Sequence, residues 1–186
     1  MLSDREQVLA IVAADPWAME MLRLARGLNL PDWVIGAGFL RSLVWDRLCG
    51  FAARTPLNDI DIVYFDPSDT GRERENAAEA QLAAWCPDQI WSVRNMARMH
   101  IKNRETPYSS TEHAISHWLE TPTAVGVGLN ADDSLRLLAP HGAGDLLAGR
   151  VRPTPNGQRK IREYRARVTA KDWPARWTRV IVEGLT

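Results

Sequence analysis

Residues 33–66 read WVIGAGFLRSLVWDRLCGFAARTPLNDIDIVYFD, and the way this stretch folds decides the rest of the chain. A short apolar run, Trp33 to Ile35, breaks at Gly36, Ala37 and Gly38. Phe39, Leu40, Leu43, Val44 and Leu48 then recur at helical spacing, and Cys49 and Gly50 end that helix. After a loop, Asp59 and Asp61 alternate with Ile60, Ile62 and Val63, the pattern of a strand. Side chains two apart on a strand share a face, so the two carboxylates are expected side by side.

Paired carboxylates repel each other, and burial worsens the conflict unless a cation joins them. Mg2+ is commonly held by one or two carboxylates, water and substrate phosphates, which makes Asp59 and Asp61 candidate metal ligands. The turn at Gly36, Ala37 and Gly38 supplies the complementary half. Backbone N–H groups at a helix N-terminus attract anions, so phosphate and metal are expected close together. A dinucleotide-binding reading fails here, because Arg41 stands where the third glycine of GxGxxG belongs.

The order strand, glycine turn, helix and D-h-D resembles the core of the polymerase-beta-type nucleotidyltransferase superfamily. GAGFLR (36–41) with NDIDIV (58–63) is similar to the corresponding run in tRNA CCA-adding enzymes and poly(A) polymerases. WSVRNMARMH (91–100), ETPTAVGV (120–127) and APHGAGDLL (139–147) look closer to a family of bacterial nucleotidyltransferase-like proteins, over about Trp17 to Pro155. The resemblance implies an α+β fold, with a palm-like mixed sheet flanked by helices. It implies transfer of a nucleoside monophosphate from an NTP, with release of pyrophosphate, to a small-molecule, protein or RNA acceptor. Asp59 and Asp61 would then hold Mg2+ (or Mn2+) as catalytic residues, and Gly36 and Gly38 would let the triphosphate approach the backbone. Arg41 would reach a phosphate with its fork of donors.

The matched families add a third acidic residue on a neighbouring strand. In this chain the strand expected in that order runs from Trp91 to Ile101 and contains no Asp or Glu. Asn95 is the expected occupant of the position, with Glu120, Asp145 or Glu112 as alternative acids from elsewhere in the chain, none of which the sequence places within reach of Asp59. Arg94, Arg98 and His100 lie at even spacing and, with Lys102, form a candidate basic stripe for a triphosphate or an acidic acceptor. The alternative is a non-catalytic relative that keeps the fold and binds a nucleotide or a protein or RNA partner.

The 186 residues suit one domain, and 23 basic against 23 acidic side chains leave no net charge to draw a long nucleic acid or an anionic membrane. Cys49 and Cys86 lack metal spacing and are expected to be reduced and buried. No run approaches the roughly 18 apolar residues of a membrane span and the N-terminus has no secretory pattern, so a cytoplasmic location is expected. Two helices are expected over about 3–27, opened by a capping box at Ser3 and Glu6, and a third over about 71–86. Thr111 to Trp118 reads as a short helix with His113 and His117 on one face, in a packing or surface role. AVGVGL and LRLLAP read as two strands. The tail, about 157–186, is a basic helical segment in which Trp173 and Trp177 alternate with arginines. Such a segment either packs its tryptophans on the domain or stacks on nucleic acid.

Overall fold

In the computed structural model, which describes residues 2–185, the glycine turn and the paired aspartates lie on neighbouring strands of a five-stranded mixed sheet. Two helices come first, α1 (Asp4–Ala13) and α2 (Pro16–Gly27). Ser3 and Glu6 close the expected capping box on α1, and Asp15 with Pro16 starts α2. The chain then makes β1 (Val34–Gly36), α3 (Gly38–Leu48), β2 (Ile60–Tyr64), α4 (Glu73–Trp85) and β3 (Trp91–Asn95). Two more helices, α5 (Met96–Asn103) and α6 (Thr111–Ser116), precede the hairpin β4 (Gly126–Leu129) and β5 (Leu135–Leu138). Strand order is β3-β2-β1-β4-β5. Within this sheet only β2 and β3 run parallel, and α4 is the crossover that a parallel pair requires.

Alternation along the strands gives the sheet two unlike faces. Ile35, Ile60, Ile62 and Val93 point into the main core, where α1 to α4 cover them. Val34, Val63 and Leu138 point the other way, into a smaller cluster with Met96, Tyr108 and Ile115. Asp61 lies between Ile60 and Ile62 and therefore belongs to this second face, which helices cover only in part.

The chain ends with α7 (Gly144–Ala148), β6 (Arg150–Val151), α8 (Pro155–Arg159), α9 (Ile161–Lys171), α10 (Trp173–Arg176) and β7 (Ile181–Val182). β6 and β7 form a separate parallel pair, so the tail is not wholly helical. Trp173 and Trp177 are buried edge-on against Trp45 of α3, with ring centroids 5.8 and 5.3 Å away. Asp46 accepts a hydrogen bond from the Trp177 indole at 2.7 Å, and the same carboxylate accepts from Thr55. The C-terminal half of α3 thus anchors the tail across its own N-terminal half.

One expected strand is wrong beyond its middle. The run 91–101 is strand only to Asn95, whose side chain accepts from the Ala97 N–H at 3.0 Å and so caps α5. A short polar side chain bonding to the backbone two residues on starts a helix, and Met96, Ala97 and Met99 sustain it. Arg98 and His100 are therefore helical and share no strand face with Arg94. Cys49 and Cys86 are free but half-buried rather than buried. Among the described residues no helix is long and apolar enough to cross a membrane.

Candidate active site

Asp59 stands just before β2 and Asp61 inside it, and both line a cavity of about 710 Å³ together with Gly38 and Arg41. Neither aspartate has an ion pair among the described residues. Burial and the Asp59 charge push the Asp61 carboxyl above its usual range, while a hydrogen bond from Ser92 and the charges of Arg94 and Arg167 work against that rise. Two carboxylates facing open space with no cation between them are a donor set that fits Mg2+, which shares its shell with water and phosphate. Among the described residues no group of three or more His, Cys, Asp or Glu is arranged to hold a metal, so the pair stands without a third acid.

The glycine turn faces the same cavity. Val34 pairs with Val63 and Ile35 with Ile62, and one more step of that antiparallel register brings Gly36 beside Asp61. A Cβ on Gly36 would lie 2.8 Å from the Trp118 ring, so its space belongs to a side chain. At Gly38 the nearest heavy atom is Arg41 Nη2, 3.5 Å from where a Cβ would be, and this is where the backbone is open. Ala37 is held at φ 48°, ψ −117°, a conformation L residues rarely adopt. Its side chain cannot cap α3, and the first N–H to bond back is that of Arg41, to Ala37 O at 3.1 Å. The amides of Gly38, Phe39 and Leu40 are left for an anion.

Arg41 folds back toward the start of its helix and packs against both rings of the edge-on Trp45–Trp173 pair, 5.4 and 4.7 Å from guanidinium carbon to ring centroid. Burial lowers its pKa to about 10, which leaves it a cation at neutral pH. Its buried Nε has no hydrogen-bond partner among the described residues. The tail supplies the opposite wall, with Arg167, Lys171 and Arg176 all facing the cavity.

A second cavity, of about 620 Å³, is also lined by Asp61. Arg94 lines it and is paired with Glu79 of α4. Three residues, Ala37, Asp61 and Arg167, are common to both cavities.

The structure sorts the remaining candidates. Asn95 is fully buried and committed, accepting from the Asp66 and Ala97 N–H groups and donating to the Asp66 and Asp69 carbonyls, so it is not aimed at the aspartates. Arg98 pairs with buried Glu75 and lines neither cavity. Glu120 is 1% exposed, accepts from Thr123 at 2.6 Å and lies 2.8 Å from Arg167 Nε, on the wall of the second cavity. Asp145 is held by Arg152 and Thr121, and Glu112 is exposed on α6. The β3 residue in register with Asp61 is Ser92, followed on the same face by Arg94. Sequence reasoning missed Ser92. Parallel pairing of two strands was the needed signal, and the helix start at Asn95 concealed it.

The family described as Nucleotidyltransferase matches residues 23–182. An NMR structure described as a CCA-adding enzyme head domain is 30% identical, with a TM-score of 0.84, covering 96% of this chain and 95% of that one. The Thermotoga maritima CCA-adding enzyme complexed with tRNA matches 98% of this chain at 19% identity and TM-score 0.59. A CCA-adding enzyme complexed with CTP gives 18% identity and TM-score 0.59. The chain spans 43% of each of these two longer enzymes, whose likeness is one of fold alone. No curated protein matches the chain.

Proposed function

Because the chain belongs to this nucleotidyltransferase family, we propose that it transfers a nucleoside monophosphate from an NTP to an acceptor, using Mg2+ (or Mn2+) held by Asp59 and Asp61. The observation that carries this reading is two aspartates without an ion-pair partner, in one cavity with the uncapped start of α3. Bound there, the metal would neutralise charge on phosphate oxygens and lower the pKa of an attacking hydroxyl.

The chain's own groups account for the rest. The first-turn amides at Gly38 to Leu40 bind the triphosphate, and Arg41, already a desolvated cation, adds its donors to the same phosphates. Arg167, Lys171 and Arg176 close the anionic site from the tail. The acceptor oxygen forms a bond to the α-phosphorus, the bond to the β-phosphate oxygen breaks with its electron pair leaving on pyrophosphate, and the acceptor proton passes to water.

A specific observation favours a second reading, in which the chain binds nucleotide without transferring it. Where an acid would reinforce the pair from β3, Ser92 and Arg94 stand instead. One experiment separates the two. With Mg2+ and NTP labelled at the α-phosphate, the wild type tags an acceptor in cell extract and Asp61→Asn tags it at least about a hundredfold more slowly. Equal labelling by the variant contradicts the metal mechanism, and no labelling alongside tight NTP binding establishes the second reading.

A further inference from the structure

We propose that the second cavity is the acceptor site, and that it takes a small molecule with an apolar or aromatic body and an anionic group. This rests on the nucleotidyl-transfer reading for its direction but on separate residues for its chemistry. In an in-line displacement the attacking oxygen and the leaving group lie on opposite sides of phosphorus. With the triphosphate against α3 in the first cavity, the free approach to a nucleotide at Asp61 is from the second. The two cavities meet at Ala37, Asp61 and Arg167, which suits that geometry.

The lining states what would fit. Met96, Met99 and Trp118 form an apolar surface; methionine is an adaptable packing partner, and the indole offers an edge or face to a flat group. Lys102 and Arg104, exposed at the end of α5, have no carboxylate partner among the described residues. Lys160, by contrast, is engaged with Glu105 and the Asn103 carbonyl. Glu163 and Asp61 line the same cavity without an ion pair among the described residues; with Asp61 assigned to the metal, Lys102 and Arg104 outweigh Glu163 by one charge, which favours an anion attached to an apolar body. The volume of about 620 Å³ falls in the range of small-molecule sites, roughly 300–1,000 Å³. The acceptor hydroxyl on such a molecule forms the new bond to the α-phosphorus, pyrophosphate leaves with the electron pair, and the hydroxyl proton goes to water.

The test uses the full chain with methionine methyls labelled with carbon-13, assigned through Met96→Leu and Met99→Leu. Phenyl phosphate and phenylacetate are titrated in separate arms to distinguish a phosphate from a carboxylate, with a six-nucleotide single-stranded RNA as a third. Expected is movement of the Met96 and Met99 signals with one or both small anions, while Met19 and Met21 on α2 stay still. Removing both cations with Lys102→Ala and Arg104→Ala weakens that binding at least about tenfold and changes the affinity for ATP with Mn2+ less than about twofold. Signals from Met96 and Met99 that stay still with both anions, or RNA binding there more tightly than either, overturn the proposal. Failure of ATP to bind the wild type while phenyl phosphate still moves the two methyls overturns the transfer reading instead, leaving an anion-binding cavity.

Discussion

On one face of the sheet Ile35, Ile60, Ile62 and Val93 are completely covered; on the other Asp61, Ser92 and Arg94 are half-buried, and Asp61 lines two cavities. The covered face follows the ordinary rules of a core, apolar side chains from several helices closing over alternate strand positions. Its opposite breaks several of those rules at once. Asp61 is held next to a like charge, Ala37 sits at a positive φ, and Arg41 is buried with its Nε unpartnered. Strain of this kind persists where surrounding structure over-determines it, and here the covered face and the Trp45 anchor do so.

Substitutions probe that contrast, beginning with the anchor. Trp45 is fully buried, donates to the Leu146 carbonyl at 3.1 Å and packs against both tail tryptophans. Trp45→Ala is expected to cost about 3–5 kcal/mol in denaturant unfolding and to release the tail from α3. A loss below about 1 kcal/mol would mean that the tail is held elsewhere.

At the edge of the open face, a Cβ on Gly36 meets the Trp118 ring at 2.8 Å. Gly36→Ala should cost about 1–3 kcal/mol, and Trp118→Leu should recover part of it in a double-mutant cycle. Strictly additive losses would contradict the contact. Ala37→Gly acts in the opposite sense, removing the φ 48° strain and raising stability by about 1 kcal/mol after the greater entropy of an unfolded glycine is subtracted. Thermal melts of the two variants should therefore move in opposite directions.

Asp61→Asn gives a shift whose sign matters more than its size. Burial and Asp59 raise the folded pKa of Asp61, so the folded state binds its proton more readily than the unfolded chain does. The resulting penalty is absent at pH below the ordinary aspartate value, where both states are protonated, and complete above the raised folded value. In metal-free buffer the Tm of Asp61→Asn should exceed that of the wild type by a margin that opens as pH rises through the carboxylate range. A margin that narrows over that range would place Asp61 in a stabilising contact instead.

How much of this could be read from the residues differs between the two faces. The main core, the turn after β1, the capping box and the adjacent aspartates are local patterns, and period and spacing carry them. The hairpin of β4 and β5 is local in the same way. The neighbours of Asp61 are not local: Ser92 arrives through strand pairing, Arg167 and Arg176 through a tail folded back from the end of the chain. The alternation in 91–101 misled because Asn95 caps a helix in the middle of it, which removed Arg98 from the site and turned Asn95 inward. The tail's tryptophans and arginines were legible as a pair of alternatives: the tryptophans pack on the domain, while three cations of the same segment line the cavity.

Calorimetric titration of ATP into the wild type and an Asp59→Asn, Asp61→Asn double variant, each with Mn2+ and with a chelator, tests the central claim most directly. The account expects metal-dependent binding in the wild type, and a loss of at least about tenfold on removing either the metal or the two carboxylates. Equal affinity in all four titrations would contradict it.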